Sequence, residues 1–228
     1  MDEKEILKLW SVYDKKLEET LSVNRMNVEG ITRLKIKSVL ASMQPLKVFT
    51  LVAGIMWVAF GGVIVVAMAT NAYAEVSKFF LFSAGIQLLL TAMAVWVYLY
   101  QLIIIQQVDI TEPILQTQET LQRLKSSTLL VARLLFLQLP LWTTFYITDG
   151  MLAHGNIYLL MVQALVTLSA TSLAVWLFIN IKFENRHKKW FQLLFSGNEW
   201  TPVIKAFEFV DDLQAYKGED QSKYLTRK

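Results

Sequence analysis

Three stretches of this chain, 48–70, 79–107 and 155–181, contain no Asp, Glu, Lys or Arg, and a fourth, 126–148, contains only Arg133. Roughly 20 apolar residues in a helix cross a hydrocarbon layer about 30 Å thick, and each stretch is long enough. Lipid offers no hydrogen-bond partner to a bare peptide group, so each crossing must satisfy its own backbone as a helix. A membrane β-barrel would instead show short segments of alternating polarity, which are absent. The expected fold is therefore all-α: a polytopic membrane protein with four transmembrane helices and cytoplasmic amphipathic helices.

Three regions follow from this reading. Residues 1–47 form cytoplasmic amphipathic helices, 48–182 a four-helix transmembrane bundle with a helical cytoplasmic loop at about 108–125, and 183–228 a cytoplasmic tail with its own amphipathic helix. Hydrophobic residues make up 54% of the chain and charged ones 18%, whereas soluble domains carry about 25% charged residues. The mixed charges ahead of the first span also differ from the basic start and short apolar run of a cleavable signal.

The basic residues set the topology. Nine of the 22 Lys and Arg lie in 1–47 and nine in 182–228, with Arg123 and Lys125 between spans two and three and Lys78 between spans one and two. Positive loops stay on the cytoplasmic side, so both termini are expected there.

Chemistry is sparse. The chain has no cysteine, which excludes a disulfide framework, a thiolate metal site and a redox switch. Its two histidines, His154 and His187, fall on opposite sides of the membrane in this topology and cannot share a metal. No nucleophile–base pair, phosphate-cradling glycine loop or zinc motif can be drawn, so no catalytic residue, metal ligand or cofactor is assigned and a non-enzymatic role is expected.

In the first segment Ile6, Leu9, Trp10, Tyr13, Leu17 and Leu21 recur at three- and four-residue spacing, which places them on one stripe of a helix. Such helices commonly lie on the anionic inner leaflet with Trp10 at the interface, but the rest of this one mixes Lys with Asp and Glu, so its attraction to anionic lipid is weak, and a protein partner or the chain's own other cytoplasmic helices suit the stripe better. Leu9, Trp10, Tyr13 and Leu17 are the candidate partner-binding residues. Ser22 and Asn24, both good capping types, predict a break before a second periodic run through Val28, Ile31, Leu34, Val39 and Leu40.

An internal echo links the loop to the tail. Pro113, Ile114, Leu115, Leu121 and Leu124 match Pro202, Val203, Ile204, Val210 and Leu213 at a constant offset of 89. Proline is favoured at the start of a helix, so an amphipathic helix is predicted after span two and another after span four. Duplication and chance both account for the match. With the N-terminal helices these would pack as one small inner layer.

Five residues are expected to anchor the protein at the headgroups: Arg133, whose long side chain can reach the interface, and Arg186, Lys188, Lys189 and Trp190 in a basic aromatic cluster after span four. Gln163, Thr167 and Thr171 share one face of span four, with Gln87 and Gln101 on span two. These five are a candidate polar path for a small transporter or channel, although such groups more often join helices. Gly54, Gly61 and Gly62 in span one are expected to let another helix approach closely.

The runs LKLWSVYDKKLEETLSVN (7–24) and VDITEPILQTQETLQRL (108–124), and Arg133 followed by LPLW (139–142), resemble a group of uncharacterised four-span bacterial inner-membrane proteins. Genes of that group often lie beside those of extracytoplasmic-function sigma factors. The resemblance implies a multi-pass protein of the bacterial cytoplasmic membrane, acting as an anti-sigma-like regulator or scaffold that holds a sigma factor. It carries no zinc motif of the kind found in single-span anti-sigma factors.

Overall fold

The computed structural model describes residues 3–107, 114–195 and 200–225, and among them every regular element is helical. Four helical stretches are long and apolar enough to cross a membrane. They are α2 (Gln44–Asn71), which continues from α1 (Glu3–Ala41) through a turn; α3 (Lys78–Gln107); α4 (Ile114–Phe136) with α5 (Leu139–Thr144); and α7 (Ile157–Asn180). The short α6 (Asp149–His154) precedes α7, and a 3₁₀ turn (Phe183–His187), α8 (Lys189–Phe195) and α9 (Thr201–Leu225) follow it. The fold is the all-α polytopic one expected.

Two boundaries differ from the sequence reading. The predicted break near Ser22 does not occur, and α1 is one helix of 39 residues. The Ser22 hydroxyl donates to the carbonyl of Glu19 at 2.8 Å within the helix, so it is satisfied by its own preceding turn and caps nothing. The second difference is that the amphipathic loop helix and the lower half of span three are continuous as α4; 108–113, with Pro113, lie outside the described residues. The helix stops only near Pro140, which has no N–H to donate to the carbonyl of Phe136. Pro140 then opens α5, where its missing N–H costs nothing.

Small residues decide how α2 meets α3. A Cβ placed on Gly54 would lie 2.6 Å from Val95 Cγ2, and one on Gly61 would lie 2.8 Å from Leu88 Cδ2. Both pairs keep the same antiparallel register, so α2 presents a smooth seam, one glycine every seven residues, to the side chains of α3. Gly62 meets nothing within 4 Å. Outside the seam α2 is exposed, with Phe49, Phe60 and Val63 facing out.

The four spans do not close into a compact bundle. Helix α3 packs on α2, α4 and α5, while α7 packs on α5 and α4 and has no extended contact with α2. Apolar residues gain nothing by moving from lipid to one another, so α2 and α7 have no drive to meet.

Beyond the spans, on the side that holds α1, α8 and α9 and is called basal below, the packing is tight. Ile36, Leu40 and Met43 from α1, Ile104 and Ile105 from α3, Leu121 and Leu124 from α4, and Val203, Ala206 and Val210 from α9 form one buried cluster. The echo is visible here: Leu121, Leu124, Val203, Val210 and Leu213 are all buried. Helices α1 and α9 run antiparallel, since Asn24 donates to the Tyr216 hydroxyl at 3.5 Å and Lys35 lies 5.8 Å from the Phe209 ring.

The seam predicts an order of sensitivity. Gly54→Ala should destabilise the protein by about 1–3 kcal/mol, because Val95 is β-branched and has few rotamers to yield. Gly61→Ala should cost less, since Leu88 meets it with the end of a flexible side chain, and Gly62→Ala should be neutral. Unfolding in detergent would check this order; equal losses at all three positions would reject the seam.

Candidate functional site

Among the described residues no three His, Cys, Asp or Glu side chains come together as a metal-binding group. What the helices position instead are an exposed apolar stripe on α1, a set of polar ties between spans, and a basic aromatic rim at the basal end of α7.

The stripe lies N-terminal to the part of α1 that is buried in the basal layer. Ile36 and Leu40 are buried against α9 and α4. Leu21, Val28 and Thr32, one to four turns earlier, are half-buried. Nearer the N-terminus, Trp10 is 67% exposed and Tyr13 72%, and Ile6, Leu9, Trp10, Tyr13, Asp14 and Leu17 line one apolar groove. The structure thus brings all four candidate partner-binding residues to one accessible surface.

The five residues of the candidate polar path do not form one cluster. Gln163 Nε2 donates to the carbonyl of Thr143 at 2.5 Å and to the Thr167 hydroxyl at 3.2 Å, and Thr143 Oγ1 donates to Thr167 Oγ1 at 3.2 Å. These bonds tie α7 to α5. Thr171 turns back to the carbonyl of Thr167 at 2.7 Å and is exposed. Gln87 is buried on α3, and Gln101 stands at the basal end of that helix.

Other polar pairs serve the same purpose. Gln138 Nε2 reaches Thr91 Oγ1 at 3.1 Å, Ser83 and Thr144 share a hydrogen bond of 2.7 Å, and Ser77 Oγ donates to the carbonyl of Ile147 at 2.6 Å. Each joins α3, or the turn before it, to the α4–α5 segment and the turn after it.

Gln101 has a partner that the sequence reading passed over. Lys47 is fully buried; its ammonium donates to Gln101 Oε1 and lies 5.0 Å from the Tyr98 ring centroid. Lys47 had been grouped with the basic residues preceding span one. The signal was its place seven residues before Gly54 and fourteen before Gly61, which puts it on the seam and, by the seam's register, opposite Leu102 and next to Gln101.

At the rim, Arg133 donates from Nε and Nη2 to the carbonyl of Ile181, at 3.0 and 2.7 Å. That carbonyl ends α7, where the helix presents its negative pole, so Arg133 fastens the last turn of span four to α4. Lys188 and Lys189 are exposed. Trp190 packs edge-on against Trp176, centroids 4.8 Å apart, beside the cluster of Phe191, Phe195 and Trp200. Arg186 lies 4.5 Å from the Phe183 ring. The five expected anchors therefore sit at one end of one span, although Arg133 spends its donors on backbone.

If the polar groups of α7 serve as ties, Gln163→Leu should lower stability by roughly 0.6 kcal/mol for each bond lost, and Thr171→Val should leave it unchanged. Unfolding in detergent would separate the two; equal effects would reject this assignment. Among known proteins no family model, no curated sequence and no solved structure matches the chain.

Proposed function

We propose that this protein is a non-enzymatic scaffold or regulator of the bacterial cytoplasmic membrane that holds a cytosolic protein on the distal half of α1. One observation carries the reading: α1 buries Ile36 and Leu40 in the basal cluster, yet its N-terminal part carries an apolar stripe, aromatic and exposed, through Tyr13 and Trp10. Exposed aromatic residues at helical spacing fit a groove on a partner, with Leu9, Trp10, Tyr13 and Leu17 as anchors.

The charges around the stripe favour protein over lipid. Lys8, Lys15 and Lys16 alternate with Glu5, Asp14, Glu18 and Glu19, and such a mixture gains little from an anionic surface. Both termini face the cytoplasm in this proposal because 18 of the 22 basic residues flank the first and last spans on that side. The resemblance to membrane proteins encoded beside extracytoplasmic-function sigma factors makes such a sigma factor the partner to test.

Tagged protein purified from its host should carry an extracytoplasmic-function sigma factor. Trp10→Ala with Tyr13→Ala should reduce that yield by about a hundredfold, as expected for two aromatic hot spots of roughly 1.5 kcal/mol each, while membrane fractionation stays the same. A sigma-factor yield that the double substitution leaves unchanged would sink the assignment to α1.

A further inference from the structure

Lys125 and Arg186 converge on a single aromatic ring. Lys125 Nζ, from α4, lies 4.4 Å from the Phe183 centroid and 4.7 Å from that of Phe207 in α9. The Arg186 guanidinium carbon lies 4.5 Å from the same Phe183 centroid. Sharing one ring places the two cations at most about 9 Å apart. All four side chains are half-buried, so water only partly screens the repulsion between the charges.

No carboxylate relieves it. Arg33 pairs with Glu29 on α1 and Arg123 with Glu119 on α4, but among the described residues neither Lys125 nor Arg186 has an ionic partner. The acids adjacent in sequence to the two rings, Glu184 and Glu208, are exposed and pair with neither cation. The nearby Arg133 is engaged with the carbonyl of Ile181 and adds a third positive charge. The pair of Trp176 and Trp190 sets the depth, because tryptophan gathers at the headgroup level of a bilayer.

We propose that Lys125 and Arg186 form a binding site for the phosphate of one acidic phospholipid in the basal leaflet. A phosphodiester oxygen accepts from Lys125 and another from the Arg186 guanidinium, which suits the paired oxygens of a phosphate. Phe183 and Phe207 hold the cations at the level where that phosphate lies. Since Lys125 belongs to α4, Arg186 to the 3₁₀ turn and Phe207 to α9, one bound headgroup would clamp the basal layer, and with it α1, to the end of span four.

The test is native mass spectrometry of full-length protein in detergent, supplied with equal phosphatidylglycerol and phosphatidylcholine. The wild type should retain phosphatidylglycerol about tenfold over phosphatidylcholine, and Lys125→Gln with Arg186→Gln should remove that preference. Lys37→Gln with Lys205→Gln, at two exposed lysines of the basal layer, should keep it, as should the charge-conserving pair Lys125→Arg with Arg186→Lys. Equal retention of both lipids by the wild type would overturn the proposal, even if the Gln variant failed to fold. So would an equal loss in the Lys37/Lys205 variant, which would mean diffuse attraction, or displacement of the lipid by millimolar glycerol 3-phosphate, which would mean a site for free anions.

Discussion

Apolar side chains have no reason to leave lipid for one another, so this molecule is held together by different forces at different depths. Inside the bilayer the helices meet where backbones can come close or where polar groups need partners. Gly54 and Gly61 let α3 settle on α2, and Thr143, Gln163 and Thr167 join α5 to α7. Outside the bilayer, burial removes apolar surface from water and is worth roughly 25 cal/mol per Å². It is there that the fully buried Leu40, Met43, Leu121, Leu124 and Val203 are found.

The division explains the open arrangement of the spans. Among the spans, helix α3 packs on α2, α4 and α5 because it carries the partners for both kinds of contact: Val95 and Leu88 against glycine, and Ser83 and Thr91 against Thr144 and Gln138. Helix α2 has one smooth side and α7 one polar side, and each spends that side on a single neighbour. The basal cluster supplies what the spans lack, since α1, α3, α4 and α9 all enter it. Lys47 stands at the junction of the two regimes, on the glycine seam but at its basal end, its ammonium on Gln101 and near Tyr98.

Much of this was legible in the sequence because the bilayer permits so few solutions. A run without charges had to be a helix, and the runs 79–107 and 155–181 fall within two residues of α3 and α7 at each end. The offset of 89 pointed to Leu121, Leu124, Val203, Val210 and Leu213, which are buried, and to Ile204, which is half-buried, while Pro113 and the side chains of Ile114 and Leu115 lie outside the described residues. What was not legible depended on choices between near-equal local states. Ser22 can cap a new helix or bond back to Glu19, and only the long-range pairing of α1 with α9 decides for the second. The continuity of α4 was hidden because its polarity changes midway while its backbone does not. Lys47 looked like an ordinary flanking cation, since its burial follows from the seam's register and not from its neighbours in sequence.

The same logic separates the two surfaces to which roles are proposed. The distal stripe of α1 is apolar and exposed, so on the proposed reading it gains free energy by burial against a partner. The ring-sharing cations at Phe183 are charged, and apolar side chains surround them, so they can gain it by meeting an anion. Both surfaces attach to the basal cluster, the first through Ile36 and Leu40 and the second through Phe207, which packs on that cluster and lies under Lys125. A change in how α9 sits on α4 therefore has to move the lower half of α1, because both helices bury side chains in the same core. A headgroup held at Lys125 and Arg186 would resist that movement and hold α1 in one orientation relative to the membrane. In this arrangement the lipid would not compete with a protein partner for any residue, and would act on it only through the stiffness of the layer between them.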